Sequence, residues 1–332
     1  MEVYMTTNSI AFNGIGIGPF ELNKVAFSIG NFDIYWYAII ITFGMILALL
    51  FAMRFCKRCG IKSDDVIDIV LWCVPTAIIG ARLYYVLFSI QDFITDGKLD
   101  FSKVFAFRDG GLAIYGGVIV GFIVAFFVCK YKKIDMMAMF DIGAMGFLIG
   151  QCIGRWGNFV NVEAFGSETT LPWGMSINGK SPVHPTFLYE SLWNLIGFIL
   201  IYTFARTLKK HSGELFFMYV GWYGLGRAWI EGLRTDSLYL FTDNFASTHH
   251  LYNPRISQVV AIVSVILGII GYILARRGLF EKLYKKSIEK YQKKLAQHPE
   301  KKRRRDIKFE EYSEQFQQDT VNVTDKSADE EE

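Results

Sequence analysis

The stretch "ISQVVAIVSVILGIIGYILA", residues 256–275, contains no charged side chain. A helix needs about 20 predominantly apolar residues to cross the hydrocarbon core of a membrane, and this stretch has that length. Similar apolar blocks recur near residues 34–54, 66–90, 110–129, 136–153, 187–205 and 213–232. Because a helix satisfies its own backbone hydrogen bonds in lipid, the sequence predicts an all-α, polytopic membrane helical bundle of about seven transmembrane helices.

A soluble bundle of core helices is the alternative interpretation of these blocks. Hydrophobic residues make up 52% of the 332-residue chain, and they come in blocks longer than ordinary core helices. We therefore favour the membrane bundle. The fourth block is short and the second and sixth contain charges, so the expected number of spans is accurate to about one helix.

Basic residues alternate between the two ends of the blocks. Lysine and arginine are dense after the first, third, fifth and seventh blocks, as in "KYKK" at 130–133 and "RTLKKH" at 206–211. The positive-inside rule then places the N-terminus outside and the C-terminus in the cytoplasm. No basic segment followed by an apolar core precedes the first block, so we expect the first span itself to direct insertion.

This topology divides the chain into three regions. We expect an extracytoplasmic N-terminal segment over 1–33, a seven-helix membrane domain over 34–275, and a charged cytoplasmic tail over 276–332. The beginning of the tail is predicted to form a basic helix against anionic lipid headgroups. Its end, "DKSADEEE" at 325–332, is acidic and is predicted to be disordered.

Cysteine and histidine side chains are the candidate metal ligands in this sequence. Cys56 and Cys59 form a CxxC, but one such pair without a second pair is weak evidence for zinc. The adjacent histidines at 249–250 have no carboxylate cluster beside them and are typical of solvated side chains. We therefore predict no metal site and reduced thiols; for Cys152, at the start of a glycine-rich stretch, a nucleophilic role is the alternative.

Ionisable residues inside spans cost about 2.5–3.5 kcal/mol each on insertion scales, so they are candidates for function. In the predicted topology the second, fourth and sixth blocks run outward and the other blocks run inward. Asp68 and Asp141 then lie in the inner half or the middle, where we expect them to pair with other helices. The other polar residues converge on the outer end: Tyr37, Arg82, Tyr115, Arg155, the stretch His184–Glu190, Arg227, Glu231 and Arg234.

The stretch "YGLGRAWIEGLRTD", residues 223–236, places charges on one helical face. At about 100° per residue, Arg227, Glu231 and Arg234 fall within about 60° of one another. An internal ion-pair ladder that fixes the helix end is the alternative interpretation. Two arginines against one glutamate leave a surplus cation near the headgroups, however, and arginine binds phosphate in bidentate geometry.

The stretch "IGRWGNFVNVEAFG", residues 153–166, combines polar side chains with glycines. Arg155, Asn158 and Asn161 step by three and would spread over about 120° of a helix. Glycine weakens a helix and permits a turn or a close approach. We predict a helix end that breaks into a loop, with its polar side chains turned inward, because broken backbone at membrane depth must be buried or line water. An exit loop with incidental polar residues is the alternative.

The stretch "GRWGNFVNVEAFG" resembles the signature of the prolipoprotein diacylglyceryl transferase family. The resemblance extends to "YWY" at 35–37, "GARLYYV" at 80–86, "GGLAIYGG" at 110–117, "HPTFLYE" at 184–190 and "GLGRAWIEGLRTD" at 224–236. Six motifs in order are specific, and together they cover the membrane domain, 34–275, which is then the catalytic domain.

The resemblance implies an enzyme that transfers diacylglyceryl from phosphatidylglycerol to the lipobox cysteine of preprolipoproteins. Glycerol phosphate leaves and a thioether remains. It also implies a bacterial cell membrane location with the active site open to the outer leaflet. The expected partners are phosphatidylglycerol, the lipobox segment and membrane lipids; no cofactor, metal or nucleic acid is expected.

The motif matches and the predicted depths together give a candidate site. The catalytic candidates are Arg155, Arg227, Glu163 and Tyr115. We expect phosphatidylglycerol to be bound by Arg155, Asn158, Asn161, Gly166, Tyr37, Arg234, Glu231, Arg82 and His184. In one departure from the family pattern, Tyr115 stands where many members carry a histidine, so the general base is left open among Glu163, Tyr115 and His184, with Glu163 favoured.

These residue types suit the reaction. The departing phosphate gains a second negative charge, and arginines placed there stabilise the transition state more than the ground state. The substrate supplies the thiol, and the same positive field favours its thiolate.

Other membrane functions fit the sequence less well. A transporter for anionic lipids is expected to show inverted repeats and sites near the midplane, and the sequence shows neither. A structural membrane protein has no need of clustered arginines. An intramembrane protease requires a serine–histidine or paired-aspartate arrangement, and the depths of Asp68 and Asp141 disagree with that of the polar cluster.

Overall fold

The computed structural model describes residues 7–30, 32–95, 98–106, 110–235, 253 and 255–297. By its internal contacts the chain divides into two compact units, Met1–Ser63 with Phe140–Phe280 and Asp64–Met139 with Glu281–Glu332. The acidic end of the tail and the histidines at 249–250 lie outside the described residues. The three predicted regions, 1–33, 34–275 and 276–332, stay predictions.

Long helices form most of the described chain. In chain order the helices are α1 (Trp36–Phe55), α2 (Ser63–Phe88), α3 (Phe101–Val104), α4 (Ile114–Lys132), α5 (Met136–Asn161), α6 (Thr186–Thr207), α7 (Glu214–Leu233), α8 (Ile256–Arg276) and α9 (Leu279–Gln297). All of them except α3 and α9 coincide with the seven predicted blocks. The predicted all-α membrane bundle is therefore confirmed.

Within the described ranges, six helices are long and apolar enough to cross a membrane. Among the seven helices that coincide with predicted blocks, α7 is the one that does not meet this criterion, and it carries Glu214, Arg227 and Glu231 within its 20 residues. Helix α5 continues to Asn161, eight residues beyond the predicted end of its block at 153. The ends of α5 and α7 therefore carry polar or charged side chains on helices, which hold them more rigidly than loops would.

In the first unit, glycines let α7 approach its neighbours closely. A Cβ atom at Gly268 of α8 would lie 2.6 Å from the backbone nitrogen of Gly221 of α7. One at Gly271 would lie 2.1 Å from the ring of Phe217. Small residues at such crossings let helix backbones pack directly in lipid, where the hydrophobic effect does not drive helix association.

Two tryptophans join α6 to α7. The rings of Trp193 and Trp222 stack with their centroids 4.3 Å apart. Each indole N–H donates to the backbone carbonyl of the other residue, at 3.0 Å in both directions. Gly226 and Gly197 provide the space for the two rings, since a Cβ at either would lie within 2.4 Å of an indole nitrogen. This reciprocal pair fixes the register of the two helices.

The first unit contains a buried ion pair where α6 ends and α7 begins. Asp141 of α5 is fully buried and lies 3.0 Å from Nζ of Lys209, which follows α6. The same carboxylate accepts 2.9 Å hydrogen bonds from the backbone N–H groups of Gly213 and Phe216. The prediction that Asp141 pairs with other helices is confirmed, since Phe216 belongs to α7 and Lys209 directly follows α6. Burial alone would lower the pKa of Lys209, but the charge of Asp141 raises it above its usual value.

Short antiparallel strands precede α1, and the sequence analysis did not predict them. They are β1 (Thr7–Phe12), β2 (Ile17–Asn23), β3 (Val25–Ile29) and β4 (Phe32–Tyr35), followed later by β5 (Ile94–Thr95), β6 (Lys98–Leu99) and β7 (Ser176–Ile177). One sheet has the order β2-β1-β7, and a separate hairpin pairs β3 with β4. The backbone N–H of Ser9 donates to Oδ1 of Asn178 at 2.8 Å beside the β1–β7 pair. Ile10, Met175 and Phe187 form the buried core under this sheet.

The second unit contains α2, α4, the β5–β6 hairpin and α9. Lys132 at the end of α4 forms ion pairs with Asp65, at 2.5 Å, and with Asp68, so the predicted pairing of Asp68 with another helix is confirmed. Helix α9 is the predicted basic helix, and its Tyr284 hydroxyl donates to the carbonyl of Lys133 at 2.7 Å. Contact of α9 with lipid headgroups stays a prediction.

Candidate active site

Three helix ends of the first unit bring charged side chains together. Arg155 lies in the last two turns of α5, Glu190 lies in the first turns of α6, and Arg227 and Glu231 lie near the end of α7. Since these helices are connected antiparallel, the end of α5, the start of α6 and the end of α7 meet at one end of the unit. The sequence predicted this convergence for Arg155, Arg227, Glu231 and the stretch His184–Glu190.

Arg155 is held from two directions. Its Nη2 forms an ion pair with Oε2 of Glu190, and its Nη1 donates to Oδ1 of Asn158 at 3.3 Å. The side chain of Glu190 is only 6% exposed, whereas that of Arg155 is 22% exposed. The carboxylate therefore lies beneath the guanidinium, and the cation is the group that solvent or a ligand reaches.

Arg227 shares the same carboxylate. Its Nη1 lies 3.6 Å from Oε1 of Glu190, and its Nη2 lies 2.5 Å from Oε2 of Glu231, one turn further along α7. Glu190 thus places one oxygen toward each arginine. The internal ion pairing that we considered as an alternative for Arg227 and Glu231 is present, but Arg155 belongs to the same cluster.

A short hydrogen-bonded relay leads from Arg155 to Glu163. Asn158 accepts from Arg155 through its oxygen and donates through Nδ2 to Oε1 of Glu163 at 2.7 Å. Asn161 donates to the same oxygen at 3.4 Å. Glu163 itself is exposed. The two amides orient an accessible carboxylate beside the arginine cluster.

The chain breaks directly after α5, as predicted, although not at a glycine. Val162 and Ala164 have φ values of 54° and 55°, in the left-handed region that side-chain-bearing residues rarely adopt. The Thr186 hydroxyl donates to the carbonyl of Ala164 and holds the turn. Such strain of the backbone is found mainly where the surrounding structure fixes a functional segment.

Glycines at this end permit close approach instead of turns. A Cβ at Gly157 would lie 2.8 Å from the ring of Tyr37 in the first turn of α1. One at Gly166 would lie 2.7 Å from Cβ of His184 and 2.9 Å from the carbonyl oxygen of Leu233. The structure thus places Tyr37, Gly166 and His184 at the same end of the unit as the arginines.

Arg234 does not continue the helical face on which the sequence analysis placed it. Helix α7 ends at Leu233, and Arg234 is extended, with φ −80° and ψ 150°, and forms a bridge with Gly166. The helical projection that grouped it with Arg227 and Glu231 was wrong for this residue, because Arg234 lies past the helix end. Its backbone still joins the segment after α5 to the end of α7.

His184 is linked to two aromatic side chains. Its Nδ1 lies 3.2 Å from the hydroxyl of Tyr189, and that hydroxyl accepts from Nε1 of Trp173 at 2.8 Å. Cys152 is in a different environment, with Sγ 3.5 Å from Oγ of Ser191.

Two predicted site residues, Arg82 and Tyr115, belong to the second unit. Arg82 is 5% exposed and donates to five backbone carbonyls, including those of Val104 at 2.9 Å and Gly111 at 3.0 Å. These contacts organise the segment between α2 and α4. Tyr115, in the first turn of α4, is 53% exposed. A lipid-binding or catalytic role for these two residues stays a prediction.

Sequence reasoning placed Glu190 at the outer end, as the last residue of the stretch His184–Glu190, but did not include it among the site residues, and it missed Arg255. Glu190 is a carboxylate inside an apolar span, and that alone marks it as a candidate for function. Arg255 precedes α8, and its Nη1 donates to the backbone carbonyl of Glu231. Its signal is weaker, since arginines at helix ends are common.

The fold and the site define a class: a multi-pass helical membrane protein with a buried carboxylate shared by two arginines at one end of its helices. Comparison with known proteins identifies the family. A model described as prolipoprotein diacylglyceryl transferase matches residues 24–274. The chain belongs to this family of transferases.

Curated relatives have the same description. The phosphatidylglycerol–prolipoprotein diacylglyceryl transferase of Enterococcus faecalis is 42% identical over 291 residues, which covers 83% of this chain and 98% of the relative. Those of Finegoldia magna and Streptococcus uberis are 41% and 43% identical, over 78% and 77% of this chain and 98% and 96% of the relatives. The resemblance inferred from the motifs is confirmed.

Proposed function

We propose that this chain transfers the diacylglyceryl group of phosphatidylglycerol to the cysteine thiol of a preprolipoprotein lipobox, the first step of lipoprotein maturation. Its membership of the family and the coverage of its relatives support this activity. The observation that carries the assignment of the site is the carboxylate of Glu190, which holds Arg155 and Arg227 side by side with their cationic groups more exposed than their partners.

The two arginines bind the lipid phosphate in this proposal. Each guanidinium has five N–H donors, and the contacts with Glu190, Asn158 and Glu231 use only part of them. A phosphodiester on the exposed side is attracted by both cations while the carboxylates hold their other side. Asn158, Asn161, Tyr37, Gly166, His184, Glu231 and Arg234 complete the proposed lipid site.

The reaction is a substitution at carbon. The thiolate sulfur of the substrate forms a bond to the glyceryl CH₂ that carries the phosphate, and the bond from that carbon to the phosphate oxygen breaks. Glycerol phosphate leaves with the electron pair and gains a second negative charge. Arg155 and Arg227 stabilise this developing charge, which is the largest electrostatic change in the reaction.

The proton of the thiol is taken by a base. Glu163 is our choice because it is accessible, lies next to the arginine cluster and is oriented by Asn158 and Asn161. His184 is at the same end of the unit and is the second candidate. Tyr115 remains the third, on the strength of its place in the family motif.

We also propose that the site faces the outer leaflet of a bacterial cell membrane, with the N-terminus outside and the C-terminus in the cytoplasm. In support, α1, α6 and α8 begin at the site end, and their last turns carry Arg54, Arg206 and Arg276. Labelling Ser28→Cys and Lys285→Cys with an impermeant maleimide in intact cells tests this. If Lys285→Cys is labelled and Ser28→Cys is not, the orientation is opposite to the one proposed.

The activity is tested with the purified full-length chain in vesicles that contain phosphatidylglycerol and a lipobox peptide. We expect coupled release of glycerol phosphate and a gain in peptide mass, both lost in Arg155→Ala. If a folded wild-type chain leaves lipid and peptide unchanged, the transferase is ruled out. Transport of the anionic lipid across the vesicle membrane would then be measured instead.

A further inference from the structure

Below the arginine cluster, α5 and α7 present a second polar pair to each other. Gln151 lies one turn before Arg155 on α5, and Tyr219 lies two turns before Arg227 on α7. Nε2 of Gln151 donates to the Tyr219 hydroxyl at 2.9 Å. Two aromatic rings flank the pair. The ring of Phe147 stacks on that of Tyr219 with centroids 5.9 Å apart, and the ring centroid of Tyr223 lies 6.1 Å from that of Tyr219.

This pair has unused hydrogen-bonding capacity. Oε1 of Gln151 is buried and has no hydrogen-bond partner among the described residues. The Tyr219 hydroxyl has only Gln151 as a hydrogen-bond partner in the described part of the chain, so its own proton is also available. A buried polar atom without a partner is costly, and native structures keep few of them.

A 180° turn of the Gln151 amide, together with one acceptor from a ligand, would satisfy both side chains. If the amide turns by 180°, the Tyr219 hydroxyl donates to Oε1 and Nε2 donates to the ligand. In this arrangement the ligand group is a hydrogen-bond acceptor, such as a carbonyl oxygen. Without that acceptor, the same turn would only replace an unpaired Oε1 by an unpaired N–H.

The depth of Gln151 along α5 indicates which carbonyl group would bind there. Four residues of helix rise about 6 Å, so Gln151 lies about that far below Arg155, toward the middle of the span. In a glycerolipid whose phosphate lies on Arg155 and Arg227, the ester carbonyls are a few bonds from the phosphate, on the side of the acyl chains. A backbone carbonyl of the peptide substrate offers the same chemistry but has no such fixed distance from the phosphate.

We propose that Gln151 and Tyr219 form a subsite for an ester carbonyl of the lipid donor, so that diacyl donors react faster than dialkyl donors. This inference rests on the proposed function. The carbon–oxygen bond that breaks is the same in both donors, since a dialkyl ether lipid lacks only the ester carbonyls. A difference in rate between them therefore reports on carbonyl recognition and not on the chemistry.

The experiment compares diacyl and dialkyl phosphatidylglycerol as donors for the full-length chain in phosphatidylcholine nanodiscs with a lipobox peptide. For the wild type we expect kcat/KM to be about tenfold higher with the diacyl donor, the factor that a hydrogen bond of ordinary strength contributes. In Gln151→Met and Tyr219→Phe we expect this ratio to fall toward one, with the rate on the dialkyl donor kept within about twofold.

Tyr202→Phe is the matched control, because Tyr202 is another tyrosine of the bundle and packs on Phe51 and Phe198. Its donor ratio is expected to stay that of the wild type. An active wild type with a ratio of one would overturn the subsite alone. Equal losses of kcat/KM on both donors in the variants would show that the Gln151–Tyr219 hydrogen bond is only structural. A change only in the KM of the peptide would show that the pair binds a peptide carbonyl instead. A wild type inactive on both donors would overturn the proposed function itself.

Discussion

Glu190 forms an ion pair with Arg155 across the junction between α5 and α6, and the carboxylate is the more buried partner. The second oxygen of Glu190 faces Arg227. One acidic side chain therefore sets the distance between two cations that helix packing alone would leave to repel each other. The geometry predicts that Glu190 matters both for stability and for the chemistry.

We expect Glu190→Gln to lower the free energy of unfolding by about 3 kcal/mol, because removing one charge of a buried pair leaves the other uncompensated. We also expect kcat to fall at least tenfold while the KM for phosphatidylglycerol does not rise, since a competing anion is removed. Thermal unfolding and steady-state kinetics measure both. Glu281→Gln, which breaks an exposed pair with Lys285, is the control, and an unchanged kcat in Glu190→Gln would contradict the prediction.

Arginine at positions 155 and 227 is expected to be irreplaceable by lysine. Lysine keeps the charge but lacks the planar fork that binds a phosphate through two hydrogen bonds. Arg155→Lys and Arg227→Lys should each lose on the order of 10²-fold in kcat. Arg206→Lys, at the other end of α6, is the control. A lysine variant with wild-type kcat would show that charge alone suffices.

Glu163→Gln tests the general base. We expect a loss of about 10²–10⁴ in kcat with little change in unfolding, because the side chain is exposed. Raising the pH toward the usual thiol pKa of about 8.5 should restore part of the activity, since the substrate then ionises without help. His184→Ala and Tyr115→Phe are assayed in parallel. If the larger loss and the pH rescue occur in one of those variants, that residue is the base instead.

Lys209→Met is expected to destabilise the chain by about 3–5 kcal/mol, because it leaves the fully buried Asp141 without its cation. The double variant Asp141→Asn with Lys209→Met should recover most of this loss. The charge of Asp141 raises the pKa of Lys209 in the folded chain, so the stability that the charge of Lys209 contributes at neutral pH persists up to the usual lysine pKa of about 10.4 and is lost as the pH rises through the raised value. Denaturant unfolding across that range checks the sign, and equal stability of the two variants would contradict the pairing.

Gly226→Ala should destabilise the contact between α6 and α7 by about 1–3 kcal/mol, because the new Cβ would lie 2.4 Å from Nε1 of Trp193. Gly143→Ala is a matched control in α5, where no atom lies within 4 Å of the added Cβ. There, replacing a helical glycine should stabilise by about 0.5–1 kcal/mol. Thermal unfolding of both variants gives the comparison, and a loss of similar size in each would refute the role assigned to the tryptophan pair.

The sequence predicted the long helices well because membrane insertion requires a long apolar block, and such blocks are visible without any neighbour. Even α7, with three charges, was found, since its apolar residues still fill most of its length. The strands before α1 were missed because they are short and their pattern is weak beside that of the helices. In addition, β7, which pairs with β1, lies far along the chain.

Part of the candidate site was predicted because the apolar blocks also fix where the helices end. Arg155 and Arg227 are polar residues at helix ends that the predicted topology brought to one depth, whereas Glu163 was added by the family resemblance. Which side chains pair could not be predicted, because the contact of Glu190 with both arginines depends on how three helices pack. Arg234 shows the converse error, since a helical projection is valid only as far as the helix continues.

The pairing of β1 with β7 has a consequence for biosynthesis. Ser9 and Asn178, which share a hydrogen bond, are 169 residues apart, and α1, α2, α4 and α5 are made between them. During translation, β1 cannot pair with β7 until these four helices have entered the bilayer. An even number of crossings returns the chain to the side on which it started, so the two strands can meet when all four crossings are completed but not when a single one is missing. A nascent chain that skipped one insertion would leave β1 and β7 separated by the bilayer.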